Sequence, residues 1–100
     1  ILTAAHAFGG IGRAINLKFK TIGVDEIVAN TLYVFGPGVK VACEVVCMAS
    51  DAGLVRHNRD VIGIAGTGRG CDTAIIVKSA PTHAFFLDMK VREIICKPRM

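Results

Sequence analysis

Three glycines in five positions, Gly66, Gly68 and Gly70, form the segment of the chain best suited to chemistry. Because glycine lacks a Cβ, such a segment can turn with positive φ and approach a ligand closely. Successive N–H groups in a turn of this kind form an anion-binding concavity, and Arg69 adds a two-pronged phosphate donor. Hydroxyl and carboxylate groups stand at its rim, on Thr67, Asp72 and Thr73. The segment therefore predicts a phosphate site over Gly66–Gly70.

The same residues also suit a plainer interpretation, a glycine-rich hairpin with a solvated Arg69. The segment is not a Walker A loop, because no Gly-Lys-Ser/Thr follows the glycines. Both interpretations stay open at this point.

A second glycine-rich segment follows the apolar start of the chain. A predicted strand over 1–5, a glycine turn and a predicted helix over 11–19 together favour an anion site. Its match to the dinucleotide-binding fingerprint is poor, because Ile15 stands where the third glycine belongs. His6, at the end of the predicted strand, is a ligand contact, an acid/base group or a structural residue. The candidate ligand-binding residues here are His6, Gly10, Gly12 and Arg13.

The elements that must position these segments follow from hydrophobic periodicity. Two short runs rich in Val and Ile, Val61–Ala65 and Ala74–Val77, predict strands buried on both faces. Helical spacing predicts helices over Val24–Phe35 and Val39–Ala52, separated by a Gly-Pro-Gly stop. A last strand is predicted over Val91–Cys96.

The second predicted helix is apolar on nearly all sides. Its polar residues, Lys40, Glu44 and Asp51, fall in one narrow stripe at about 100° per residue, and we expect only this stripe to be exposed. Lys40 and Glu44 are spaced i,i+4, which favours a structural salt bridge over a catalytic lysine.

Composition limits the classes of function. One hundred residues make a single α/β domain at most, while 52% hydrophobic residues and a mean hydropathy of +0.51 indicate either a very well covered sheet or a piece of a larger body. The start at Ile1, inside an apolar run, also predicts that an upstream segment is missing. With a net charge of only +4 and scattered basic residues, we expect no nucleic-acid partner. No apolar run reaches the roughly 18 residues of a membrane span, so we expect no membrane partner.

The four cysteines, Cys43, Cys47, Cys71 and Cys96, form no C-x-x-C motif. We expect free thiols, no bound metal and a reduced, cytoplasmic protein.

Three blocks of the sequence, TAAHAFGGIGRAI, GTGRGCDTAIIVK and KVREIICKPR, carry a family resemblance. They resemble the stand-alone archaeal and bacterial proteins of the pyruvate kinase C-terminal-domain-like family. The stretch VKVACEVVCMASDAG is also similar to that domain. Members of the family are longer, so this chain resembles their second half.

This resemblance implies a three-layer α/β/α sandwich with a mainly parallel sheet. In pyruvate kinase the domain carries no catalytic groups and binds a phosphorylated sugar effector. A flavin or another nucleotide is the ligand implied for the small relatives. The Ser/Thr-rich phosphate loop of pyruvate kinase has no counterpart in this chain.

Residues and resemblance together predict a binding module for a phosphorylated metabolite or nucleotide at the glycine-rich loop. One alternative is an enzyme acting on such a compound, with His6 or Asp72 as the proton-transfer group. Another is a structural or oligomerising domain, and a homo-oligomer is compatible with each prediction.

Overall fold

The computed structural model of the chain describes residues 14, 17–18, 21, 23–66 and 70–99. The helices within them are α1 (Val24–Leu32), α2 (Pro37–Asp51) and the single turn α3 (Phe85–Asp88). The strands are β1 (Asp60–Gly66), β2 (Cys71–Lys78) and β3 (Lys90–Cys96), and 3₁₀ turns over Tyr33–Phe35 and Thr82–Ala84 precede α2 and α3. The predicted helices over Val24–Phe35 and Val39–Ala52 and the three later strands are confirmed. The predicted strand over 1–5 lies outside the described residues, as does most of the predicted helix over 11–19.

The break between the two longer helices has a local cause. Gly36 is the N-cap of α2 and has a φ of 107°, which no helix can continue. Pro37 then occupies the first helical position, where its missing N–H costs nothing. In α1, the acidic Asp25 and Glu26 of the first turn suit the positive end of the helix dipole.

The sheet of the described residues is antiparallel throughout, in the order β1-β2-β3. The expected three-layer α/β/α sandwich with a mainly parallel sheet is therefore wrong. The physical reason is the length of the connection, because Gly66 at the end of β1 pairs with Cys71 at the start of β2. A parallel neighbour needs a crossover of roughly a dozen residues or more, whereas a tight turn can only reverse the strand.

The core lies between α2 and one face of β1 and β2, which we call the covered face. Its central strand residues are Ile75 and Val77, both fully buried. From α2, one side of the helix packs on them, with Val39, Ala42, Cys43, Val46 and Cys47 all at most 4% exposed. This layer holds the glycine-rich end of the sheet in place.

The other side of the sheet, which we call the open face, is apolar but exposed. Ile62 and Ile64 of β1 are 62% and 57% exposed, and Ile76 beside them is half-buried. Every residue of β3 is exposed as well. The prediction that the strands are buried on both faces is therefore wrong for this sheet, which has one covered face.

The polar stripe of α2 turns inward. Lys40 is 5% and Glu44 0% exposed, and the Lys40 Nζ lies 3.0 Å from the Glu44 Oε1. The same Nζ lies 5.7 Å from the centre of the Tyr33 ring. The predicted salt bridge is confirmed, but its predicted exposure is wrong, and only Asp51 of the stripe is exposed. Periodicity identifies which residues share a side of a helix, but the packing decides which side is buried.

We expect Lys40→Met and Glu44→Gln each to lower the free energy of unfolding by about 3–5 kcal/mol, because each removes the 3.0 Å ion-pair partner of a buried charge. The double variant Lys40→Met/Glu44→Leu should recover most of that loss. Urea unfolding measures all three. The exposed pair of Arg92 Nε and Asp60 Oδ1, at 3.1 Å, is the matched control. Asp60→Asn should cost less than about 1 kcal/mol, and equal effects at the two pairs would contradict a buried role for Lys40–Glu44.

Candidate functional site

The predicted site residues divide between described and undescribed parts of the chain. The structure describes four of them, Gly66, Gly70, Asp72 and Thr73. Outside the described residues lie His6, Gly10, Gly12, Arg13, Thr67, Gly68 and Arg69. The geometry below therefore concerns both ends of the glycine-rich segment and the residues that follow it.

The glycine-rich segment joins β1 to β2 as a hairpin. A Cβ added at Gly66 would overlap the carbonyl oxygen of Gly70, so the two ends approach more closely than any side chain permits. Gly70 has a φ of 114°, as a glycine turn requires. The described ends therefore form a hairpin, and the solvated Arg69 of that interpretation lies outside the described residues.

The N-terminus of α2 packs directly against the start of β2. A Cβ added at Gly38 would overlap the Oγ1 of Thr73 and lie 3.3 Å from the Oδ1 of Asp72. Thr73 is only 2% exposed, so its position is set by packing. The first N–H groups of a helix have no partner within it, and the N-cap of α2 has no side chain to supply one.

Asp72 brings a carboxylate to the same place. The Thr73 hydroxyl donates a hydrogen bond of 2.9 Å to the Asp72 Oδ1. A carboxylate beside a helix N-terminus is favoured by the helix dipole, so Asp72 takes part of the position that an anionic ligand would favour.

A group of polar residues at the opposite end of the sheet was not identified from the sequence. His57 Nε2 lies 3.4 Å from Asp88 Oδ2, and the His57 and His83 ring centres are 6.4 Å apart. These residues come from three separate segments, and no local motif links them. Within the part of the chain that the structure describes, no three His, Cys, Asp or Glu side chains are grouped to hold a metal ion.

All four cysteines are free, as predicted. Burial raises the pKa of the Cys43 thiol from 9.0 to about 11. For Cys47, burial first, then the charges of Cys43, Asp51 and Glu44, raise the pKa to about 12. Because a thiolate is the reactive form, both core thiols are inert near neutral pH, whereas Cys71 and Cys96 are exposed.

No protein-family model matches the sequence. The resemblance to the pyruvate kinase C-terminal-domain-like family thus stays a prediction. Among the described helices, none has the length and apolar character that crossing a membrane requires.

We expect Gly38→Ala to destabilise the protein, although alanine is the better helix former. Overpacking against Thr73 costs about 1–3 kcal/mol, more than the roughly 1 kcal/mol that helix propensity returns. Urea unfolding of Gly38→Ala, Thr73→Ala and the double variant measures the coupling. Thr73→Ala removes Oγ1 but leaves a Cβ 2.7 Å away, so the rescue should be partial. Strict additivity of the two substitutions would contradict the contact.

In native protein at pH 8 we expect a thiol reagent to label Cys71 and Cys96 quickly and Cys43 and Cys47 only after unfolding. Mass spectrometry counts the labels, and four rapid labels would show that the core thiols are accessible.

The raised pKa values of Cys43 and Cys47 also predict that the free energy of unfolding falls as pH rises above 9.0 towards 12, because only the unfolded chain then loses these thiol protons. In Cys43→Ala the fall in the urea midpoint should be smaller.

Proposed function

We propose that the protein is a binding module for a phosphorylated small molecule, a metabolite or a nucleotide. The phosphate lies at the hairpin end of the sheet, between the Gly66–Gly70 turn and the N-terminus of α2. The observation that carries this proposal is the contact of Gly38 with Thr73, which holds a helix N-terminus beside the glycine-rich turn. Both features favour negative charge.

The charges around this position give Arg69 and Asp72 different roles in the proposed binding. The N-terminus of a helix acts as roughly half a positive charge, which alone does not balance both the Asp72 carboxylate and a phosphate. Arg69, within the turn by sequence, supplies the further positive charge. Asp72 can in turn accept hydrogen bonds from hydroxyl groups of the ligand. Binding therefore depends on Arg69 more than on any other side chain of the turn.

The enzyme alternative, with His6 or Asp72 as the proton-transfer group, stays a prediction, because His6 lies outside the described residues. A nucleophile at Thr73 is not favoured. Thr73 and Asp72 have the 2.9 Å spacing of a nucleophile and its base. However, Thr73 is only 2% exposed and packed against α2, so its hydroxyl does not reach a substrate.

A structural or oligomerising role is favoured by a different observation. The open face exposes Ile62 and Ile64, and apolar sheet faces are normally covered by another layer. A homo-oligomer or a further layer of chain would bury them. This role is compatible with ligand binding, because it uses the other face of the sheet.

The free state of all four thiols supports a reducing, cytoplasmic location. A flavin nucleotide falls within the proposed class of ligands, as the family resemblance implies.

We expect Arg69→Ala to weaken phosphate binding about ten- to a hundredfold, the range for a charge-assisted hydrogen bond of roughly 1.5–3 kcal/mol. Arg69→Lys should recover only part of the loss, since an ammonium group cannot form the two-pronged contact. The measurement is an NMR titration with inorganic phosphate, following the amides of Gly66, Gly70 and Thr73.

The matched control is Arg56→Ala, which removes the same charge from an exposed position before β1 and should leave binding unchanged. Thermal unfolding should be the same for both variants. Amide shifts that stay unmoved at millimolar phosphate would refute the site. A melting temperature that falls in Arg69→Ala without any phosphate dependence would favour the structural role.

A further inference from the structure

The connection between β2 and β3 contains a segment, residues 82–89, that we call the strap. It consists of the 3₁₀ turn Thr82–Ala84, the single turn α3 and Met89. We infer that the strap opens as a unit while α2 and the sheet stay folded. This inference is independent of the proposed phosphate site.

The start of the strap is held by one side chain of α2. The carboxylate of Asp51 accepts two hydrogen bonds of 2.9 Å from Thr82, one from its backbone N–H and one from its hydroxyl. Both bonds are exposed to solvent, where the net contribution of a hydrogen bond to stability is small. The far end is held more weakly, because Asp88 Oδ2 lies 3.4 Å from His57 Nε2, beyond the roughly 2.7–2.9 Å of a charge-assisted hydrogen bond.

Few apolar side chains of the strap are buried. Of its eight residues, Ala84 and Met89 are buried, whereas Phe86 and Leu87 are 75% and 80% exposed. A segment with few buried apolar side chains and exposed hydrogen bonds opens at a lower free energy than a core strand. The strap therefore has the properties of a unit that unfolds locally.

The chain on both sides of the strap is fixed, which confines the opening to the strap itself. Before it, Ser79 is fully buried, and its N–H donates to the carbonyl oxygen of Arg59 at 2.7 Å. The carbonyl oxygen of Ser79 accepts a hydrogen bond of 3.0 Å from the Asn58 N–H. After the strap, Lys90 pairs with Lys78 in the ladder between β3 and β2. The strap can thus open without breaking a strand pairing.

Opening of the strap changes the shape of an apolar groove. Phe85 and Phe86 of the strap line this groove, which has a volume of about 280 Å³, and the rest of its lining comes from α1. Since the strap opens while α2 and the sheet stay folded, the groove has one wall that moves. The strap is therefore a conformational device that sets the width of the groove.

Hydrogen exchange of the full chain tests the inference. The amides of Ala84 and Met89, which are hydrogen-bonded in the closed strap, should exchange at least about tenfold faster than those of the core strand β2. Low urea concentrations should speed exchange at Ile75 and Val77 of β2 but not at the strap amides, since opening of the strap exposes little surface.

Two substitutions to valine distinguish local opening from global unfolding. Ile75→Val weakens the core outside the strap, so it should speed exchange at Val77 about two- to tenfold and leave Ala84 unchanged. Thr82→Val removes the hydroxyl bond to Asp51, which is lost in both kinds of opening. It should therefore speed exchange at Ala84 and Val77 by the same factor, about two- to tenfold.

The inference is wrong if Ile75→Val speeds exchange equally at Ala84 and Val77, because the strap then opens only when the whole protein unfolds. Unchanged exchange at Ala84 in Thr82→Val would show that Asp51 does not hold the strap closed, which also overturns it. Should Ile75→Val disturb folding, as judged by urea unfolding, the urea dependence of exchange in the unsubstituted protein decides between local and global opening.

Discussion

The packing of α2 on the covered face of β1 and β2 is the constraint on which the rest of this structure depends. It buries the helix side from Val39 to Cys47 against Ile75 and Val77. The helix reaches the sheet closely at its first turn only because residue 38 is glycine, with Thr73 in the space that a side chain would need. Structural stability and the placement of the candidate site thus share one contact.

The same helix carries an unusual burial of charge. Lys40 and Glu44 are 5% and 0% exposed, and they pair at 3.0 Å. Such a pair contributes little net stability against an apolar replacement, but leaving either charge alone is costly. On the open face, by contrast, the apolar side chains of Ile62 and Ile64 are exposed to solvent. The chain buries a charged pair while apolar side chains stay in contact with solvent, which is why a covering layer or partner is expected there.

The hairpin end combines two kinds of surface within a short distance. The N-terminus of α2 favours negative charge, whereas the groove between α2 and β3, lined by Phe35, Val39 and Ile94 among others, is apolar. The Asp72 carboxylate beside this helix N-terminus repels a second anion, but it can accept hydrogen bonds from donor groups.

The sequence by itself determined the elements. The Val- and Ile-rich runs marked β1 and β2, the Gly36-Pro37 break separated the two helices, and three spaced glycines marked a turn, since each signal depends on a few adjacent residues. The short connection from Gly66 to Cys71 already required β1 and β2 to run antiparallel, whereas tertiary structure decided which face of their sheet is covered. Tertiary structure also decided that Lys40 and Glu44 are buried, and that Gly38 packs against Thr73, which is distant from it in sequence. The physical reason is that burial and these contacts depend on how α2 packs on the sheet, and this packing joins residues that are distant in sequence.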